Sequence, residues 1–169
     1  MAIAPLTALI FMGPALVIGI WVAWNDMKFM KIPNMAVVAL FGIFVILGPM
    51  ALPLDEYLWR YVHAVVVLVL GFVANQVRMM GAGDAKFLAA MAPFFDRGDI
   101  GVLLPVFTGV ILAAFATHRL FRAIPSVRRA YPDWASWTHA KFPMGLALSG
   151  VLILYLGLGA VFGRQPPIL

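Results

Sequence analysis

Long apolar runs separated by short basic connections are the feature that most constrains how this chain can fold. Hydrophobic residues make up 64% of the sequence and charged residues 11%, whereas soluble domains are on average roughly half apolar and one quarter charged. A helix of about 20 apolar residues crosses the hydrocarbon core of a bilayer. The sequence therefore predicts an all-α protein, a polytopic membrane helix bundle in which residues 1–169 form one membrane-embedded domain.

The apolar runs predict six transmembrane helices, and the fourth of them is unusually short. They lie at residues 6–24, 35–54, 62–80, 85–95, 100–121 and 142–162. A helix over residues 85–95 would rise roughly 17 Å, well short of a hydrocarbon core of about 30 Å. If this short helix crosses the membrane, the residue that precedes it, Asp84, must lie below the membrane surface.

The distribution of Lys and Arg predicts the orientation of these helices. The second and fourth connections and the C-terminal tail hold only Arg60, Arg97 and Arg164. The first, third and fifth connections hold the other basic residues, namely Lys28, Lys31, Arg78, Lys86, Arg119, Arg122, Arg128, Arg129 and Lys141. Cytoplasmic connections of membrane proteins are enriched in such residues. We therefore expect these three connections to be cytoplasmic and both termini to lie outside, an arrangement that requires the short fourth helix to cross.

Composition also excludes several kinds of chemistry. There is no cysteine and there are only three scattered histidines, so thiol nucleophiles and disulfides are absent, a zinc site is not expected, and no cofactor is predicted. The basic fifth connection carries Tyr131, Trp134 and Trp137, a composition typical of a membrane interface rather than of nucleic-acid binding. Residues 1–24 lack the basic start of a signal peptide and are predicted to be a retained span. Catalysis in such a chain would have to use carboxylates.

Two carboxylates are predicted to share the cytoplasmic side at similar depth. Asp26 follows the first span, and Asp84 stands in Gly81-Ala82-Gly83-Asp84 before the fourth. The remaining acids are assigned outside, except Asp133, which lies close to Arg128 and Arg129. Two carboxylates in one hydrogen-bond network do not both ionise easily, so one keeps a proton. Such a pair can split a peptide bond with water through general acid–base catalysis.

Structural interpretations of the same residues stay open at this stage. Asp84 could be a helix N-cap and Asp26 a solvated loop residue. Gly81 and Gly83 are expected to permit a positive φ or a close approach of another chain. The remaining expectations are that Lys86 extends to the interface, and that Pro33 and Pro143 start helices.

Three segments of the chain together resemble a known family. Asp26 followed by Lys31-Ile32-Pro33-Asn34, then Gly81-Ala82-Gly83-Asp84-Ala85-Lys86, then Phe142-Pro143-Met144-Gly145-Leu146-Ala147 are similar to the signature segments of type IV prepilin peptidases. Members of this family are membrane aspartyl proteases, and the resemblance extends over essentially the whole chain. It implies that Asp26 and Asp84 are the catalytic pair. The supporting motif residues would be Gly81, Gly83, Lys86, Pro33, Asn34, Pro143 and Gly145.

The resemblance also implies a substrate, a location and a branch of the family. The substrate would be a prepilin or pseudopilin, whose leader is removed at the cytoplasmic face of the prokaryotic plasma membrane. Longer members carry paired Cys-x-x-Cys motifs and also methylate the new N-terminus. This chain has no cysteine and begins with the first span, so it resembles the short branch that serves Flp or Tad pili, without methyltransferase activity. The alternative function is a non-catalytic membrane subunit or small transporter that uses the aspartates in ion pairs or a proton relay.

Overall fold

The structure, a computed structural model, describes residues 1–164. Every regular element among these residues is helical, which confirms the predicted all-α bundle. The remaining residues of the predicted domain, 165–169, lie outside the described part. The helices in chain order are α1 Pro5–Phe29, α2 Asn34–Ala51, α3 Leu54–Gln76, α4 Ala82–Met91, α5 Ile100–Ala123, α6 Pro125–Ala130 and α7 Met144–Phe162.

Five of these helices, α1, α2, α3, α5 and α7, are long and apolar enough to cross a membrane. The predicted short fourth segment is α4, which continues into the 3₁₀ turn Ala92–Phe94. At about 1.5 Å per α-helical residue and 2.0 Å per 3₁₀ residue, the two together rise only about 21 Å. The chain is therefore a multi-pass membrane protein with one shortened segment inside its bundle.

Helix α4 joins two ends of the bundle that differ in chemistry. At one end, called here the site end, Asp26 in α1 meets Gly145 in α7. At the other, called here the far end, the backbone N–H of Asp96 donates to Tyr155 in α7. The backbone N–H of Arg164 donates to the carbonyl of Met1 at 2.9 Å. The first and last described residues therefore meet, close to the far end.

Apolar side chains fill the bundle between its two ends. Phe11, Phe44 and Phe94 are fully buried, and their ring centroids lie 5.0–6.1 Å apart. Gly71 in α3 lies so close to Ala85 in α4 that an added Cβ would be 2.9 Å from the Cβ of Ala85. Small residues at such contacts let membrane helices approach closely, and van der Waals packing then holds them together. At this contact α4 therefore packs closely against α3.

The predicted boundaries of the third helix are wrong, and the reason is electrostatic. Helix α3 begins at Leu54 rather than at residue 62, so Asp55, Glu56 and Arg60 belong to the helix. Two acids in a first turn are favoured by the helix dipole, and Arg60 is buried because it pairs with Glu56 and with Asp96. Pairing allows charged residues to extend a helix that hydropathy alone would shorten.

Candidate active site

Asp26 lies in the last turn of α1 and is almost completely buried, with 4% of its surface exposed. Its Oδ2 accepts a hydrogen bond of 2.6 Å from the backbone N–H of Gly145, the second residue of α7. A Cβ at position 145 would lie 2.9 Å from the Cβ of Asp26. The N-terminus of a helix favours a negative group, so the start of α7 orients the Asp26 carboxylate. A side chain at position 145 would collide with Asp26, so this contact requires glycine.

Asp84 is the third residue of α4, after the N-cap residue Gly81. The N-cap interpretation of Asp84 is therefore wrong, because the helix begins two residues earlier. Gly81 has a φ of −69°, and among residues 1–164 no glycine has a positive φ, so that expectation for Gly81 and Gly83 is also wrong. Gly81 is instead close to a side chain of its own helix: a Cβ on Gly81 would lie 2.7 Å from Asp84 Oδ2, whereas one on Gly83 would only contact Ile32 at 3.5 Å. The approach of another chain to these glycines stays a prediction.

The left-handed backbone conformations occur instead at Met30 and Arg78, with φ of 53° and 60°. Met30 ends α1, and its N–H donates to the carbonyl of Asp26 at 2.9 Å. Arg78 follows α3, where the Asn75 side chain donates to the carbonyl of Met80. A left-handed residue other than glycine costs about 1–2 kcal/mol, and such residues cluster at functional sites. The turn that follows Asp26 and the turn that precedes Asp84 are therefore both held in unfavourable backbone conformations.

Both aspartates line a single cavity of about 830 Å³ at the site end. Lys86 is exposed and lines the same cavity, and its Nζ lies 3.4 Å from Asn34 Oδ1. The cavity falls within the size range of small-molecule and cofactor pockets, about 300–1,000 Å³. It can therefore admit a short extended segment of a peptide beside the two carboxylates.

The cavity is rich in positive charge, yet its two acids are free of ion pairs. Its basic lining residues are Lys31, Arg78, Lys86 and Lys141, together with His139. Within residues 1–164, the ion pairs are those of Arg60 at the far end. The carboxylates of Asp26 and Asp84 are thus available to a bound molecule.

The structure brings most of the predicted site residues together. Gly81, Gly83, Lys86 and Asn34 line the cavity with the two aspartates. Gly145 contacts Asp26 and donates its backbone N–H to the carboxylate. Pro33 and Pro143 are the N-cap residues of α2 and α7, which agrees with their expected role as helix starts and puts them next to the cavity.

Among the cavity residues that sequence reasoning did not assign to the site are His139 and Lys141. His139 Nδ1 accepts a hydrogen bond of 3.0 Å from the backbone N–H of Lys141, so the two are held in one turn. This turn directly precedes Phe142 and Pro143. Proximity in sequence to the third signature segment was the signal that could have identified both.

The fold and the cavity define a class of protein. It is a polytopic membrane protein with two aspartates that form no ion pair at one end of its helix bundle. The model of the Type IV leader peptidase family matches residues 14–121, more than half of the chain. The chain therefore belongs to the type IV leader peptidase family, a family of peptidases, as the resemblance predicted. Neither a curated protein sequence nor a solved structure matches it.

Proposed function

We propose that this protein is a membrane aspartyl endopeptidase that removes the leader peptide of type IV prepilins or pseudopilins. The observation that carries the proposal is the placement of Asp26 and Asp84 on one cavity, without ion pairs, in a chain of this family. Buried acids at the edge of a membrane are costly and are usually retained for function. Their arrangement suits the hydrolysis of an amide bond by water.

The proposed mechanism uses one carboxylate as a base and the other as an acid. Because neighbouring carboxylates do not both ionise easily, one proton is shared between them. The ionised group takes a proton from water while the water oxygen bonds to the scissile carbonyl carbon, and the protonated group donates to the carbonyl oxygen. When the tetrahedral centre collapses, the C–N bond breaks and the departing amine takes a proton from the protonated carboxyl group. The ionised carboxylate takes a proton from a hydroxyl of the tetrahedral centre, which restores the one shared proton. Neither a metal nor a covalent enzyme intermediate is required.

The cytoplasmic face of the prokaryotic plasma membrane is the proposed site of cleavage. Basic residues concentrate at the cavity end, with Lys31, Lys86 and Lys141 around the acids, and cytoplasmic connections carry such an excess. A substrate helix must unwind to expose its backbone, which is tolerated at membrane depth only against protein or water. The cavity offers both, so the polar leader would enter it while the apolar segment remains in lipid beside the bundle.

The short branch that serves Flp or Tad pili is the proposed subgroup, because the sequence contains no paired Cys-x-x-Cys motif. The transporter alternative is less well supported. A proton relay needs polar groups through the bundle, yet Phe11, Phe44 and Phe94 fill its centre. The peptidase proposal explains the same two acids without a path across the membrane.

Cleavage of a co-expressed candidate prepilin tests the proposal. We expect Asp26→Asn and Asp84→Asn each to lower the cleavage rate by about 10²–10⁴-fold, the usual contribution of a general acid or base. Leader removal is read as a mobility shift on a gel, with the abundance of each variant in the membrane measured in parallel. Asp133→Asn is the matched control, since Asp133 is exposed and lies outside the cavity.

The outcomes separate the candidate roles. Loss of cleavage in both variants but not in Asp133→Asn, at equal abundance, supports a two-aspartate protease. Cleavage by either Asn variant at the wild-type rate would remove that aspartate from the catalytic pair. Survival of cleavage in both would favour structural or transport roles.

A further inference from the structure

A second cavity, of about 530 Å³, lies outside the candidate active site. Arg128 and Arg129 line it from the last turn of α6, and Trp134, Trp137 and Asp133 line it from the connection that follows. None of these residues lines the cavity of Asp26 and Asp84. The mechanism proposed above gives this second cavity no role.

Stacked aromatic rings fix the cavity at the level of the membrane interface. His118, Trp137, Trp134 and Tyr131 stack in succession, with ring centroids 4.6–5.5 Å apart. Trp24 packs edge-on against Trp134 at 5.3 Å and lies two residues before Asp26, near the end of a membrane-spanning helix. Trp and Tyr concentrate where hydrocarbon meets the lipid headgroups. The second cavity is therefore at headgroup depth, at the site end.

The two arginines are exposed and have no anionic partner within the described chain. Among residues 1–164, neither guanidinium lies within ion-pair distance of a carboxylate, Asp133 included. Two cations against one anion leave the cavity lining with a net positive charge. Guanidinium groups bind phosphate oxygens bidentately and are less strongly hydrated than ammonium groups. The lining thus matches a phosphate ester bounded by aromatic rings.

We propose that this cavity binds the headgroup of an anionic phospholipid. The phosphodiester would be held by Arg128 and Arg129, and its glycerol backbone would lie against Trp134. Basic residues close to the membrane surface attract anionic lipids, by about 1 kcal/mol for each Lys or Arg. Because the cavity depends only on interface depth and charge, the proposal does not rest on the peptidase activity.

Native mass spectrometry of the purified full chain tests the proposal. The protein is equilibrated in mixed micelles with equal amounts of phosphatidylglycerol and phosphatidylcholine, and the lipids that remain bound are counted. We expect the wild type to retain phosphatidylglycerol with about tenfold preference. Arg128→Gln with Arg129→Gln should bring the preference close to one, and Arg128→Lys with Arg129→Lys should keep part of it.

The matched control removes two exposed arginines away from this cavity, Arg97→Gln with Arg164→Gln. This control should retain the full preference, and melting temperatures should show that all variants are folded. Equal retention of both lipids by the wild type, or full preference in the Arg128→Gln/Arg129→Gln variant, would overturn the proposal. It would also be overturned if millimolar inorganic phosphate or an acidic peptide displaced the bound lipid, since the site would then be a general anion or peptide site.

Discussion

The acidic residues at the two ends of the bundle differ in the number of hydrogen bonds and ion pairs that they make. At the far end, Asp99 is 2% exposed and accepts hydrogen bonds from the N–H groups of Ala2 and Ile3 and from the Tyr155 hydroxyl. Asp96 pairs with Arg60 there. At the site end, Asp26 accepts one backbone hydrogen bond, from Gly145. Fully bonded acids stabilise a fold, whereas acids left with free lone pairs can act on a ligand.

This difference shows how one residue type acquires two roles in a membrane protein. A buried charge is tolerated when partners satisfy it and is costly when they do not. At the far end the acids have hydrogen-bond or ion-pair partners, and these contacts join α3, α7 and the first residues of the chain. The site end leaves its acids beside a cavity, and its strained turns at Met30 and Arg78 agree with a region not optimised for stability.

The largest expected effect comes from breaking the far end with Arg60→Met. Arg60 is 1% exposed, donates to the carbonyl of Pro93 and pairs with Glu56 and Asp96. Removing one partner of a fully buried pair costs roughly 3–5 kcal/mol. Because the Glu56 and Asp96 side chains are 37% and 17% exposed, solvent screens them and the cost should lie below that range, but the melting temperature in detergent should still fall. Arg97→Met, at an exposed neighbour, is the control and should melt like the wild type. An unchanged melting temperature for Arg60→Met would show that the far end is not the stabilising end.

A smaller effect, on catalysis rather than on folding, is expected from Gly145→Ala at the site end. Its methyl group would lie 3.0 Å from Asp26 Oδ2 and would displace the carboxylate. A misplacement of about 1 Å can cost 10²-fold in rate, so prepilin cleavage should fall by about that factor. Gly157→Ala in the same helix meets only a Met12 methyl at 3.5 Å and should cleave normally. Equal cleavage rates in the two variants would contradict the role given to Gly145.

The smallest expected effect is a difference in cleavage rate between alanine substitutions at Gly81 and at Gly83. Gly81→Ala would bring a methyl group 2.7 Å from Asp84 Oδ2, whereas Gly83→Ala would make an ordinary contact with Ile32 at 3.5 Å. Both glycines have a negative φ that alanine can adopt. We expect cleavage to fall about tenfold for Gly81→Ala, equivalent to about 1.4 kcal/mol, and to change little for Gly83→Ala. The opposite order would indicate that Gly83 approaches the substrate instead.

The sequence predicted much of the fold and most of the candidate site. Hydropathy alone identified the long helices and the short fourth segment, because a bilayer demands apolar residues over a fixed length. The order of the spans then put Asp26 and Asp84 at one end, where both line the same cavity. That reasoning needs no knowledge of side-chain contacts, which is why it succeeded.

Only the tertiary structure decided the contacts between residues that are distant in sequence. Gly145 and Asp26 are 119 positions apart, and their hydrogen bond depends on how α7 packs against α1. The fold brings Asp96 next to Arg60, and this ion pair allows Arg60 to lie inside α3. A hydropathy profile records only two separate charged residues and does not show that they pair. His139 and Lys141 reach the cavity through a turn before α7 that has no periodic signal. Local sequence determines which segments enter the membrane, whereas the partners of each buried polar group are set by packing across the whole bundle.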